Sequence, residues 1–200
     1  MKALIIHYGV GNVFSIENAF RRLGFEIDIR SKITGDEREY DCLILPGVGS
    51  FTAAVENISL YRGELVDLVT SGIPVLGICL GMQLLFEESE EGPGEGLKVF
   101  KGRVKQLPDN VKKPHMGWNK IRKTSESPLL EGINEAWVYF NHTYYPAPDD
   151  LKLKLAETEY GIPFASIIGR GEILGTQFHP EKSSKTGLVL LTNFKNLVRR

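Results

Sequence analysis

Residues 73 to 87 read Ile73-Pro-Val-Leu-Gly-Ile-Cys79-Leu-Gly-Met-Gln-Leu-Leu-Phe-Glu87. An apolar run, a glycine-containing turn and a helix-like run follow one another, which predicts a strand, a sharp turn and a helix. Gly77 and Gly81 suit such a turn because a strained bend leaves no room for side chains. The helix N-terminus would favour the thiolate form of Cys79. We therefore predict a nucleophile at Cys79, the alternative being a buried cysteine that only fills space.

Strand-like and helix-like segments alternate along the first half of the chain. In chain order they cover residues 3–8, 13–23, 26–30, 42–45 and a helical stretch that ends near Gly72. Apolar strands separated by helices are typical of a parallel sheet that is covered on both faces. Open parallel sheets bind ligands beyond the carboxyl ends of their strands, and residues 9–12, 46–49 and 77–81 are all expected at such ends.

Strand-like segments dominate the second half of the chain. They cover residues 97–107, 118–121, 136–145, 153–158, 164–169 and 173–178. Short turns at residues 160–161 and 170–171 predict hairpins. A last amphipathic helix is expected over residues 186–198. Its inward positions would be Leu188, Leu191, Phe194 and Leu197 or Val198. These patterns predict one α/β domain over residues 1–200, an open, mostly parallel sheet with flanking helices and an antiparallel strand extension.

The composition excludes several classes of function. With 42% apolar and 24% charged residues and a net charge of -1, the chain offers no electrostatic basis for binding nucleic acid or an anionic membrane. No apolar run approaches the length of a membrane span. Two cysteines, Cys42 and Cys79, imply no disulfide framework, so a cytoplasmic location is expected. The four histidines show no metal-ligand spacing, and we expect neither a metal nor a cofactor.

A cysteine nucleophile needs a base, and the best candidate is His179. A strand-like segment delivers this histidine, and Glu181 follows two residues later. Because residues i and i+2 of an extended chain point to the same side, Glu181 could fix the tautomer of His179 and leave its other nitrogen for Cys79. A surface histidine beside a surface glutamate is the alternative interpretation.

The segment Pro46-Gly-Val-Gly49 is a candidate oxyanion hole. Glycines allow a backbone N–H to approach a developing negative charge, and the two donors would be the N–H groups of Val48 and Leu80. An ordinary Pro-Gly turn after a strand explains the same residues. By contrast, Gly9-Val-Gly11 does not form a dinucleotide-binding motif, because Phe14 stands where the third glycine is required.

Three ordered motifs resemble those of the class I (triad) glutamine amidotransferases. They are Gly77-Ile-Cys-Leu-Gly-Met-Gln83, Pro46-Gly-Val-Gly49 and His179-Pro-Glu181. Four further runs are similar to the group of these enzymes that serves as the glutaminase subunit of imidazole glycerol phosphate synthase. They are Tyr8-Gly-Val-Gly-Asn12, Pro114-His-Met-Gly-Trp-Asn119, Asn141-His-Thr-Tyr144 and His179-Pro-Glu-Lys-Ser-Ser184. The resemblance extends from about residue 3 to the last helix.

This resemblance implies hydrolysis of L-glutamine to glutamate and ammonia. Cys79 would attack the side-chain amide, His179 would move the proton, Glu181 would orient His179, and water would hydrolyse the resulting thioester. The glutamine-holding positions of the family correspond to Gly47, Gln83, Glu91, His142, Thr143 and Tyr144. A carboxylate at position 91 suits the α-ammonium group of the substrate.

The resemblance also implies a heterodimer with a (β/α)8-barrel cyclase subunit, which would use the ammonia to form imidazole glycerol phosphate and an aminoimidazole carboxamide ribotide in histidine biosynthesis. The partner-facing positions of the family correspond to Asn12, Met116, Trp118, Tyr139 and Lys182. Aromatic, Met and basic side chains are types enriched at interfaces, although Trp118 could equally be a core residue. His7 departs from the family pattern beside this face, where Asp or a small residue is expected.

Three other interpretations use the same residues. The chain could be the glutaminase subunit of another synthase, such as the pyridoxal phosphate or anthranilate type, although the run from His115 to Asn119 argues against both. It could be a non-catalytic module on the same fold, although Cys79, His179 and Glu181 are all present. It could also be a cysteine peptidase or another hydrolase on a related fold.

Overall fold

The computed structural model of the chain describes residues 1–9 and 13–199, apart from the side chain of Arg38. The strands are β1 (Lys2–Ile6), β2 (Glu26–Arg30), β3 (Cys42–Leu45), β4 (Val75–Ile78), β5 (Glu88–Ser89), β6 (Gly102–Gln106), β7 (His115–Lys123), β8 (Glu135–His142), β9 (Tyr144–Pro148), β10 (Lys154–Glu159), β11 (Pro163–Arg170) and β12 (Ile173–Thr176). The α-helices are α1 (Phe14–Arg22), α2 (Phe51–Ile58), α3 (Arg62–Val69), α4 (Leu80–Gln83) and α5 (Ser184–Val198).

One nine-stranded sheet organises the fold, in the order β2-β1-β3-β4-β12-β11-β10-β7-β8. The pairings from β2 to β12 are parallel, and those from β12 to β8 are antiparallel. The strands β5, β6 and β9 form a separate small sheet. The predicted fold class, a parallel sheet with flanking helices and an antiparallel extension, is confirmed.

The central parallel strands β3 and β4 are buried along their whole length because both faces of the sheet are covered. In β1, Ala3 and Ile5 belong to the core under α1 and α5, while Leu4 and Ile6 belong to the core under α2 and α3. Successive side chains of a strand point to opposite faces, so one short run supplies both cores.

The structure corrects two of the predicted strands near the site. Only Gly102–Gln106 of residues 97–107 is a strand; Leu97 and Phe100 are buried, but their N–H groups bond to the carbonyls of Leu84 and Leu85 in a loop. The predicted strand 136–145 is two strands, because the chain passes at Thr143 from the large sheet to the small one. A core-like pattern therefore did not distinguish a buried loop from a strand.

The last helix begins at Ser184, two residues earlier than predicted, and its buried face includes the predicted Leu191 and Phe194 but not Leu188. Its buried residues are Gly187, Leu190, Leu191 and Phe194. The predicted inward position Leu188 is wrong, since this side chain is 56% exposed. The reason is that Gly187 contacts the chain before the helix: a Cβ atom there would lie 1.8 Å from the carbonyl oxygen of Pro180.

Candidate active site

Cys79 occupies a strained turn directly after β4, as the sequence predicts. Its φ of 53° lies in the left-handed region that side-chain-bearing residues rarely adopt. A Cβ atom on Gly77 would lie 2.7 Å from the Gly81 carbonyl oxygen, and one on Gly81 would lie 1.8 Å from the Leu45 carbonyl oxygen. The steric reason given for both glycines is therefore confirmed, and this close packing fixes the position of the sulfur.

The helix after Cys79 is shorter than the sequence suggests. It covers Leu80–Gln83, and residues 85 and 86 continue in tighter i to i−3 turns. One turn carries a small dipole, so electrostatic support for a thiolate must come mainly from side chains around the sulfur.

His179 and Glu181 are brought together next to this turn. The Nδ1 atom of His179 lies 2.9 Å from Oε1 of Glu181, and both side chains are buried. The predicted contact is present, but the predicted geometry is wrong: Pro180–Lys182 is a turn of 3₁₀-helix and not an extended chain. His179 is also fixed through its backbone, since its N–H donates to the Tyr139 carbonyl at 2.9 Å.

The second ring nitrogen of His179 faces the nucleophile. Among the described residues, Nε2 has no aligned hydrogen-bond partner, although it is fully buried. Burial alone would lower the pKa of His179, but the negative charge of the Cys79 sulfur and the Glu181 carboxylate outweigh burial and raise this pKa to about 10. The ring is therefore suited to hold a proton next to a thiolate.

The two predicted oxyanion donors are not both available in this conformation. The N–H of Leu80 donates to the carbonyl of Gly47 at 3.4 Å. Val48 is half-buried and lines the cavity beside Cys79, and Gly49 adopts a φ of 138°. A change of the peptide between Gly47 and Val48 would free the Leu80 donor and could present a second N–H at the same place.

A cavity of about 240 Å³ opens at the Cys79 sulfur. Its size suits a ligand as small as an amino acid. The lining residues are Val48, Gly49, Cys79, Leu80, Gln83, Glu91, Pro114, Asn141, His142, Thr143 and Tyr144. The predicted substrate positions therefore line this cavity, except Gly47. A Cβ atom placed on Gly47 would lie 2.6 Å from the Leu80 Cβ, so this residue packs closely against Leu80.

Glu91 and Gln83 are held in place by backbone groups. The Oε2 atom of Glu91 accepts from the N–H of Phe51 at the start of α2 at 2.8 Å, and Nε2 of Gln83 donates to the Tyr144 carbonyl at 2.9 Å. Both side chains thus line the cavity with their conformations restricted.

A buried chain of polar groups supports the wall formed by His142. The amide nitrogen of Asn119, which can only donate, lies 3.2 Å from Nε2 of His115. His115 must then donate from Nδ1 to Nε2 of His142 at 3.0 Å, and His142 donates from Nδ1 to the Tyr144 carbonyl at 2.8 Å. Burial lowers the pKa of His115 to about 4 and that of His142 to about 3. Sequence reasoning did not assign a role to His115 or Asn119, because nothing in their spacing indicates this relay.

The predicted partner-facing residues lie on one exposed surface around β7 and β8. Met116 is 61% and Trp118 51% exposed, so Trp118 is not a core residue. Trp118 pairs with Tyr139 across the two strands, with ring centroids 6.2 Å apart, and Lys182 is exposed. Asn12 lies outside the described residues.

The described part of the chain holds no group of three His, Cys, Asp or Glu side chains arranged for a metal ion. No helix among the described residues is long and apolar enough to cross a membrane.

Comparison with known proteins identifies the family. The glutamine amidotransferase class-I family matches residues 4–196. The chain belongs to this family. Curated relatives named imidazole glycerol phosphate synthase subunit HisH are 43% identical in Saccharolobus solfataricus, covering 100% of both chains, and 46% identical in Geobacillus kaustophilus, covering 95% of this chain and 94% of the relative. The amidotransferase is thus similar to these HisH subunits over nearly the whole length of both chains.

Solved structures support the fold of this amidotransferase. A glutamine amidotransferase from Thermotoga maritima superposes with a TM-score of 0.71 at 19% identity, over 100% of this chain and 84% of that one. The structure of PurLQS from the same organism gives a TM-score of 0.77 at 18% identity, over 98% of both chains. At this level of identity the likeness concerns the fold alone.

Proposed function

We propose that this amidotransferase hydrolyses L-glutamine through a triad of Cys79, His179 and Glu181, as the glutaminase subunit of imidazole glycerol phosphate synthase. The observation that carries the proposal is the buried 2.9 Å contact between His179 and Glu181, with the free ring nitrogen beside a sulfur that lines the cavity. A nucleophile, a base and an orienting acceptor in this order are the requirements of acyl transfer by a cysteine.

The chemistry follows from the positions of these three groups. The Cys79 sulfur attacks the carbonyl carbon of the substrate amide, and His179 holds the proton that came from the thiol. His179 gives this proton to the amide nitrogen, the C–N bond breaks, and ammonia leaves a glutamyl thioester. His179 then takes a proton from water, the hydroxide attacks the thioester, and the C–S bond breaks to release glutamate and regenerate the thiol.

The oxyanion hole would be completed by a turned peptide between Gly47 and Val48. In this conformation the Gly47 carbonyl occupies the Leu80 N–H. One oxyanion donor contributes about 2.7–4 kcal/mol of transition-state stabilisation, and a hundredfold rate increase needs about 2.7 kcal/mol. Turning one peptide is therefore sufficient to make the isolated chain slow and the activated chain fast.

The walls of the cavity would hold the substrate as an amino acid. Glu91 would accept from the α-ammonium group, and Gln83 and Gly47 would lie along the substrate near the reacting amide. The segment His142-Thr-Tyr144, at the crossing between the two sheets, would supply backbone contacts.

A cyclase subunit with a (β/α)8 barrel would receive the ammonia at the exposed surface formed by Met116, Trp118, Tyr139 and Lys182, together with Asn12. Ammonia released into water near neutral pH would be protonated and lose its nucleophilicity, so transfer requires a dry interface. The heterodimer would then make imidazole glycerol phosphate and an aminoimidazole carboxamide ribotide in the cytoplasm, with residues 1–200 acting as one domain.

Glutamate release by the purified chain tests the proposal, measured alone and with the ligand-loaded cyclase subunit. We expect strong release in the mixture, slow release by the chain alone, and none by Cys79→Ala in either case. An equal rate of glutamate release with and without the cyclase would support the glutaminase activity but reject this partner in favour of another synthase. Full activity of the Cys79→Ala variant would reject the triad.

A further inference from the structure

Gln177 lies at the same edge of the sheet as the nucleophile but has no part in the reaction outlined above. Strand β12 pairs in parallel with β4, with Thr176 opposite Ile78, so Gln177 and Cys79 each follow the end of a neighbouring strand. The Gln177 side chain is fully buried, and its Nε2 atom lies 3.5 Å from the Cys79 sulfur. A buried amide that touches a reacting atom is more than a filler of space.

The orientation of this amide follows from its neighbours. Nε2 of Gln83 donates to the Tyr144 carbonyl, which can only accept, and the same nitrogen lies 3.1 Å from the Gln177 side chain. The atom of Gln177 that faces Gln83 must therefore be the acceptor Oε1, which leaves the two N–H donors of Gln177 on the side of the sulfur. The donor role of Gln177 is thus determined by its surroundings.

The thiol and the thiolate use this donor differently. As a thiol, Cys79 can donate to the Asn141 carbonyl, at a long distance of 3.8 Å. A thiolate loses that contact and faces the carbonyl dipole, so it depends on groups that can donate to it. Hydrogen bonds to an ionised acceptor are about twice as strong as bonds between neutral groups.

We propose that Gln177 is a catalytic residue of this amidotransferase, which stabilises the Cys79 thiolate by donating a hydrogen bond from Nε2 while Gln83 fixes its amide. The inference rests on the proposed role of Cys79 as the nucleophile. The donor would act twice in the reaction, once when the sulfur attacks as a thiolate and once when the C–S bond of the thioester breaks and the sulfur takes the electron pair.

Alkylation of Cys79 by iodoacetamide tests the inference in the isolated chain, without substrate or cyclase. Rates are measured by mass spectrometry between pH 6 and pH 9. Cys79→Ala gives the background from Cys42, which is fully buried and whose pKa burial raises to about 12. Gln177→Met removes the donor and keeps an unbranched side chain. Ser166→Ala is the matched control, because Ser166 is buried next to Gln177 and its hydroxyl has no partner among the described residues.

We expect Gln177→Met to move the pH midpoint of alkylation upward by about one unit, which corresponds to about 1.4 kcal/mol. The rate at pH 7 should fall only about threefold, because a more basic thiolate is also more nucleophilic. Ser166→Ala should keep the wild-type midpoint. A change of access alone would alter the plateau rate and leave the midpoint in place.

A second variant covers the case in which Gln177→Met does not fold, judged by circular dichroism. Gln177→Leu also removes the donor and keeps a side chain of similar size, so its midpoint should move upward by a similar amount. An unshifted pH midpoint in the folded variants would overturn the proposed role of Gln177 and leave the proposed role of Cys79 intact. Wild-type alkylation no faster than that of Cys79→Ala would overturn the proposed nucleophile and this inference with it.

Discussion

Acid should destabilise this fold through the buried pair His115 and His142. Burial lowers their pKa values to about 4 and about 3, from 6.5 in the unfolded chain. Because both pKa values are depressed on folding, the unfolded chain binds more protons than the folded chain below about pH 6.5, and the free energy of unfolding falls as the pH falls.

The magnitude follows from proton counting. Each histidine that stays neutral in the folded state contributes up to about 1.4 kcal/mol per pH unit once its unfolded form is protonated. The pair should therefore give a slope of roughly 2.5 kcal/mol per unit between pH 6 and pH 5, a large share of the 5–15 kcal/mol typical of a domain. His179 does not oppose this slope, since its raised pKa keeps the folded ring protonated and the unfolded ring is mostly protonated there too.

Urea unfolding of the isolated chain at pH 7.0, 6.0, 5.5 and 5.0 measures this slope. In His115→Phe, one titrating group is lost, while a ring can still stack between Phe140 and Tyr160 as His115 does. The slope should fall to about half. Tyr160→Phe is the control, because it keeps both histidines and the stacked ring. An unchanged slope in His115→Phe would refute the view that the buried pair carries the acid sensitivity.

Three further predictions concern the turn, the substrate and the partner. Gly81→Ala should lower the free energy of unfolding in urea by more than about 3 kcal/mol, because its Cβ would lie 1.8 Å from the Leu45 carbonyl oxygen. Gly63 faces open space, so the control Gly63→Ala should change this free energy by less than about 1 kcal/mol. Equal effects of the two substitutions would contradict the packing argument. Glu91→Gln should raise the KM for glutamine by about 10- to 100-fold, with a smaller change in kcat, because a charge-assisted hydrogen bond to the substrate is lost. An unchanged KM in steady-state kinetics would show that Glu91 does not bind the substrate. Trp118→Ala should weaken the binding of the cyclase, measured by calorimetry, by about 2 kcal/mol and leave the stability of the isolated chain nearly unchanged. An unaltered affinity would show that the cyclase binds at another surface.

The parts of the fold that could be predicted from sequence are those with short-range causes. Strands β2 and β3 have the predicted bounds. The alternation of polar and apolar residues marks β2, and the apolar run of β3 reflects burial on both faces of the sheet. The turn at Cys79 was also predictable, because glycine is required at its two positions by contacts with residues a few positions away or on the adjacent strand.

Long-range contacts explain what could not be predicted. The inward face of α5 depends on the approach of Gly187 to Pro180, and periodicity alone fits two faces that share Leu191 and Phe194. Gln177 contacts the Cys79 sulfur, and His115 contacts His142, only because strands that are distant in the sequence pair with each other. No local pattern marks them.

The position of β12 between β4 and β11 affects how the chain can fold during its synthesis on the ribosome. The β4 segment with Cys79 leaves the ribosome 100 residues ahead of His179. The sheet therefore stays open between β4 and β11 until β12 has been synthesised, and a pairing of segments so far apart in the sequence is slow to form. A nascent chain that ends before β12 would carry the Cys79 thiol without its proposed base, and we expect such a chain to release no ammonia from glutamine.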